Sequence, residues 1–147
     1  MKRYKFRLER LLALRRHTER MWETRLAAAT GACALLENRI RGLREESGEY
    51  AGFSSGGLML SAAEILARGE FRKRLECEME EAAARLEEAV AKREEVGRAY
   101  REASRARKVL DKLKERKAEE YYEEQRRGEE KMMDEAVMFQ MMAREGE

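Results

Sequence analysis

The chain has 147 residues, the length of one domain, yet 42% of them are charged, only 7% are aromatic and none is proline. That composition excludes an ordinary globule with a large core and, where apolar residues recur every 3.5 positions, marks a coiled coil. A formal net charge of +2 argues against strong general affinity for nucleic acid, and no apolar run approaches the roughly 18 residues that would suggest a membrane-spanning helix.

The first twenty residues are strongly basic. Lys2, Arg3, Lys5, Arg7, Arg10, Arg15, Arg16 and Arg20 stand against only Glu9 and Glu19. Such an end suits an acidic partner surface or nucleic acid, and equally suits plain solvation of a helix. No apolar core follows the basic residues, so a signal peptide is not expected. A first helix is predicted over about 6–50, starting at Phe6 or Leu8. Leu8, Leu12, Trp22, Leu26, Ala29, Cys33, Leu36, Ile40 and Leu43 follow one track at spacings of four and three, with Arg15 and Glu19 in its remaining positions. Leu11, Leu14, Thr18 and Met21 widen the track. Ala27, Ala28, Ala29 and Gly31 suggest a place where two backbones approach closely.

Gly48 to Leu60 is the one clear interruption, holding the only Gly/Ser-rich run in the chain. A connection is therefore placed at about 51–60, where Phe53, Leu58, Met59 and Leu60 are expected to pack over the end of a hairpin. Ser61 and Glu64 then have the spacing of a capping box. A second helix is predicted over about 61–140. Its stretch to about Arg127 alone is roughly 100 Å long at about 1.5 Å per residue. Ile65, Leu75, Met79, Ala82, Leu86, Ala89, Val96, Tyr100, Ala103 and Leu110 mark its seam, which Arg72, Arg93 and Arg107 interrupt. The outer faces carry acids four residues ahead of bases, as in Glu81–Arg85 and Glu123–Arg127, an order that supports a helix.

Two long seams joined by a short connection imply an all-α fold, an antiparallel two-helix coiled-coil hairpin forming one domain over 1–147. A turn centred near residue 55 sets Leu8 opposite residue 102 and exhausts the first helix near Leu110. Beyond that point a helical overhang is expected. It ends in Met132, Met133, Ala136, Val137, Met138, Phe139, Met141 and Met142, a methionine-rich surface of the adaptable kind that marks an interaction site.

Signals for catalysis are weak. His17 lies among arginines without a serine or cysteine nucleophile nearby, and Gly56-Gly57 lacks the spacing of a phosphate loop. The carboxylates are expected on exposed helix faces, where nothing raises their pKa values for acid–base work. Cys33 and Cys77 match no metal or redox spacing and read as reduced thiols. The expectation is a protein that is not an enzyme and needs no cofactor and no metal.

Two stretches carry a resemblance. Phe6-Arg7-Leu8-Glu9-Arg10-Leu11-Leu12-Ala13-Leu14-Arg15 resembles the opening of the flagellar export protein FliJ family. Leu110-Asp111-Lys112-Leu113-Lys114-Glu115-Arg116 with Tyr121, followed by Glu130-Lys131 and Asp134-Glu135-Ala136, resembles that family's C-terminal signature. The resemblance implies a non-enzymatic stalk of the flagellar type III secretion system, similar to the central coiled coil of rotary ATPases. It implies three partners: the hexameric export ATPase, the cytoplasmic part of the export gate membrane protein, and export chaperones. For the ATPase it points to Arg7, Arg10 and Arg15, and to Leu110, Leu113, Tyr121, Met133 and Phe139 in the overhang. For the gate it points to Phe71 and Leu75, with Phe71 off the seam and exposed. The expected location is cytoplasmic, at the export apparatus, with the isolated chain monomeric, without membrane insertion and without nucleic acid. A stalk of a virulence-type injectisome and a basic coiled coil bound to nucleic acid are the alternatives.

Overall fold

The structure is a computed structural model that describes residues 3–54 and 60–145. Among them there are two helices and no strand: α1, Glu9–Ser54, and α2, Ala62–Glu145. The helices pack against each other as an all-α hairpin. Their contacts form two compact units, Arg20–Arg101 and Met1–Glu19 with Glu102–Glu147.

In the unit Arg20–Arg101, Cys33, Leu43, Leu75 and Ala82 are buried. Leu26, Leu36, Ile40, Met79, Leu86, Ala89 and Val96 are half-buried between them, as the spacings of three and four require. The close approach expected at Ala27–Gly31 is not made at Gly31, which is exposed with nothing within 4 Å of a Cβ built there, and Ala27 and Ala28 are exposed as well; it falls at Gly97 instead. Gly97 is buried, and a Cβ there would lie 3.8 Å from Leu26 Cδ1. Cys33 faces the seam while Cys77 is exposed, and both are free thiols.

The interruption is narrower than Gly48 to Leu60. α1 runs through Gly48 and Gly52 to Ser54. A glycine inside a helix costs only about 1 kcal/mol relative to alanine, and the half-buried Ser47 and Tyr50 keep this last part of α1 in contact. Tyr50 stacks on Phe71 with ring centroids 4.8 Å apart. Ile65 is not in the seam; it is 57% exposed, because α2 begins before the two helices come together at that ring pair. The expected packing of Phe53, Leu58 and Met59 lies outside the residues whose side chains are described. The capping box is present: the Ser61 N–H donates to Glu64 Oε2 at 2.7 Å and the Glu64 N–H to the Ser61 hydroxyl at 3.3 Å.

The other unit holds both ends of the described chain. Leu12 is fully buried. Residues 3–8 precede α1 without helical structure, Arg7 and Leu8 lying in a turn where the Glu9 N–H donates to the Phe6 carbonyl at 3.3 Å. This segment brings Tyr4 to Tyr121, with centroids 5.5 Å apart. The pairing continues past Leu110 because the register differs from that of a turn centred at residue 55: within the helices themselves Glu19 already meets Arg107 and Arg16 meets Asp111. Lys114 donates to Glu9 at 3.0 Å, and Leu110 and Leu113 are half-buried. The overhang begins after Gln125: every residue from Arg126 to Ala143 is exposed.

Candidate functional site

Two features of the unit containing the chain ends stand out. The first is a charged cluster inside the seam. Glu19 and Arg107 take positions where the apolar track is interrupted, and they meet as an ion pair. Arg107 also holds Asp111 one turn on, and Arg16 Nη2 donates to Asp111 Oδ1 at 2.9 Å. The close Glu19 carboxylate, then the hydrogen bond to Asp111, holds the Arg107 guanidinium even more firmly protonated than usual. Partial burial pushes the Asp111 carboxyl up, but hydrogen bonds from Arg16 and Arg107 outweigh it and hold the group below the ordinary aspartate range. All charges are compensated, so the cluster offers no poised acid or base. It is a fastening between α1 and α2.

The second feature is the overhang. Met132, Met133, Val137, Met138, Phe139, Met141 and Met142 are each at least half exposed, Phe139 by 81%. Contiguous apolar surface of this kind on a polar chain marks a docking site. It follows a glutamate-rich stretch of α2 that includes Glu119, Glu120, Glu123 and Glu124, all exposed.

The residues singled out from sequence are distributed unevenly. Arg7 is exposed just before α1, Arg10 and Arg15 are exposed in its first two turns, and Met133 and Phe139 are exposed on the overhang. Leu110, Leu113 and Tyr121 are instead part of the paired region, each half-buried. In the unit Arg20–Arg101, Leu75 is only 4% exposed. Phe71 is half-buried against Tyr50 rather than exposed, because Tyr50 and Phe71 both reach out of the seam at its last shared turn. His17 is exposed. Sequence reading missed Tyr4 as a partner of Tyr121, since a non-helical segment carries no periodicity to reveal its register. The Glu19–Arg107 pair was not fixed by charge alone, since Arg72, Arg93 and Arg107 all interrupt the α2 track opposite Glu19.

No group of three or more potential metal ligands occurs among the described residues. No described helix is long and apolar enough to cross a membrane.

The family model described as Flagellar FliJ protein matches residues 4–146, essentially the whole chain. The chain belongs to the FliJ family. No curated protein and no solved structure matches it. Membership in the FliJ family makes it a protein associated with flagellar export. The match spans the seam, the charged cluster and the overhang alike, so all three lie within the family's extent.

Proposed function

We propose that this FliJ-family chain is a non-enzymatic adaptor of the flagellar export apparatus, acting in the cytoplasm at the membrane-bound machinery. It docks into the hexameric export ATPase, favours the assembled ring and so stimulates hydrolysis. A ligand that binds the assembled form better than free subunits stabilises it by mass action alone. The observation that carries this reading is the exposed, methionine-rich overhang projecting from a paired hairpin base. Met133 and Phe139 make the ATPase contact there, assisted by Arg7, Arg10 and Arg15 on the exposed basic face at the start of the chain. Leu110, Leu113 and Tyr121 support it from the seam.

The export gate is engaged near the turn, through Phe71. Leu75 is buried in the seam one turn on and supports that contact through the packing of α2. Export chaperones complete the partner set. The flagellar system is preferred to a virulence-type injectisome because the matching family is flagellar.

The test is ATPase stimulation by the full chain and by a chain ending at Gln125, which keeps every inter-helix contact described above. The shortened chain is expected to fold and to lose stimulation. Undiminished stimulation by it would remove the ATPase role from the overhang. Full binding of the purified gate domain by Phe71→Ala would likewise remove the gate contact from the turn.

A further inference from the structure

No residue of α1 from Leu26 to Leu36 is charged, in a chain where 42% of residues are. The seam accounts for Leu26, Ala29, Cys33 and Leu36, which are buried or half-buried. It does not account for the opposite side of the helix, where Ala27, Ala28, Gly31, Ala34 and Leu35 are all exposed. At about 100° per residue these positions lie on the face turned away from α2. A face turned to water ordinarily carries charge. Here it carries Leu35, at 73% the most exposed large apolar side chain described in α1.

The face has a shape that fits itself. Thr24, Ala27, Ala28 and Gly31 are spaced i, i+3, i+4, i+7, the four positions that surround a hole in coiled-coil packing. All four are small, and a Cβ built on Gly31 meets nothing within 4 Å, so the hole is open. The Thr24 hydroxyl already donates to the Arg20 carbonyl at 3.0 Å and needs no other partner when covered. The matching knob, Leu35, stands one turn further along the same helix and cannot reach this hole. The Leu35 of a second copy can. When two α1 helices run antiparallel about a two-fold axis near Gly31, each Leu35 stands level with the other copy's hole, and both holes fill at once.

The charges that border the face agree with the same axis. Arg20, Glu23, Arg41 and Glu45 are exposed, and among the described residues none of them makes an ion pair. In the antiparallel pair Glu23 stands beside the second copy's Arg41, and Arg20 beside its Glu45, on one flank of the contact. On the other flank Arg39 is held by Glu78 at 2.7 Å and Arg25 lies over the Trp22 ring at 4.8 Å. A parallel pair would set each of these charges beside its own copy, which is repulsive.

We propose that the outer face of α1 around Gly31 is a self-recognition surface, on which a second copy of this chain packs antiparallel with Leu35 seated in the hole of Thr24, Ala27, Ala28 and Gly31. One helix face offers less than the roughly 800 Å² per partner of a standard interface, so the pair is weak and forms as concentration rises. The chain, expected from its sequence to be monomeric, is then monomeric only when dilute. The surface is independent of the overhang.

Sedimentation equilibrium of the full chain, from micromolar to millimolar concentration, is expected to show monomer passing to dimer. Leu35→Glu empties both holes and should raise the dissociation constant about a hundredfold, the loss of two buried leucines. Glu23→Lys and Arg41→Glu should each weaken pairing, and the two together should restore it. All three positions are exposed, so helix content by circular dichroism should not change. In a Cys77→Ser background, Gly31→Cys should form a disulfide-linked dimer with oxidised glutathione, because residue 31 lies near the axis, whereas Asn38→Cys should not. A monomer at every concentration would overturn the proposal. So would a dimer indifferent to Leu35→Glu, or one lost in the chain ending at Gln125, since either places the contact elsewhere. Equal cross-linking through Asn38→Cys, or no recovery in the charge-exchanged double variant, would overturn the antiparallel pairing on which the proposal stands.

Discussion

Arg107 shows how a single side chain decides whether a seam interruption weakens or fastens a coiled coil. Placed alone between leucines it would leave a charge partly desolvated; placed between Glu19 and Asp111 it joins α1 to α2. Removing one partner of such a group is worse than removing all of it, because the remaining charges stay behind without compensation. Arg107→Ala is therefore expected to lower the melting temperature clearly. Arg85→Ala, which loses only the exposed 3.8 Å pair with Glu81, is expected to leave it nearly unchanged. Thermal denaturation of both variants checks this. Asp111 adds a pH dependence with a definite sign. Its carboxyl is held below the aspartate range in the folded chain. The stability this gives is fully present above the unfolded value of about 3.9 and is lost as pH falls through the lower folded value. Asp111→Asn should be less stable than the parent at neutral pH, and the gap should close in acid titrations below about pH 4. Among apolar residues, Leu12 is 0% exposed, and Leu12→Ala should cost about 2–5 kcal/mol in urea denaturation. Leu35→Ala, at a site 73% exposed, should cost far less.

At the scale of the element, α2 has a strong start and α1 a weak finish. Ser61 and Glu64 satisfy each other's backbone groups at the start of α2, and the bond from the Ser61 N–H keeps the Glu64 carboxyl below its ordinary range. Ser61→Ala removes the cap and should destabilise by about 1 kcal/mol, with hydrogen exchange rising first over the opening turn of α2. α1 passes through two glycines before it ends, held by packing rather than propensity. That is why its end was misjudged from composition. Glycine marks a place where a helix is easily broken, but whether it breaks depends on whether neighbours such as Tyr50 have something to pack on.

At the scale of the molecule, the two ends of α2 live under different rules. Between Arg68 and Gln125 one face of it is buried or half-buried along the hairpin, whereas from Arg126 to Ala143 every residue is exposed. Most helix stability comes from packing an apolar face rather than from propensity, so the overhang contributes little to cooperative unfolding. A chain ending at Gln125 is expected to melt within a few degrees of the full chain, checked by calorimetry. In hydrogen exchange, residues 126–143 should exchange orders of magnitude faster than the turns around Leu12 and Leu43. Slow exchange there in the isolated chain would mean that the overhang finds a partner in another copy.

The chain alone determined that two long helices form, which faces they bury and where α2 begins, because periods of three and four and a capping box are local features. It also determined the apolar character of the C-terminal tip, which is plain composition. The tertiary structure alone decided the register. Seven-residue repeats match many alignments equally well, and the choice falls to contacts between distant residues: Glu19 with Arg107, Arg16 with Asp111, Tyr4 with Tyr121. Those contacts move the start of the overhang from Leu110 to beyond Gln125. They turn Leu110, Leu113 and Tyr121 from free tip residues into part of the seam. The shift is one of register within the helices themselves, and no local spacing announces it, because each apolar track repeats the same pattern turn after turn.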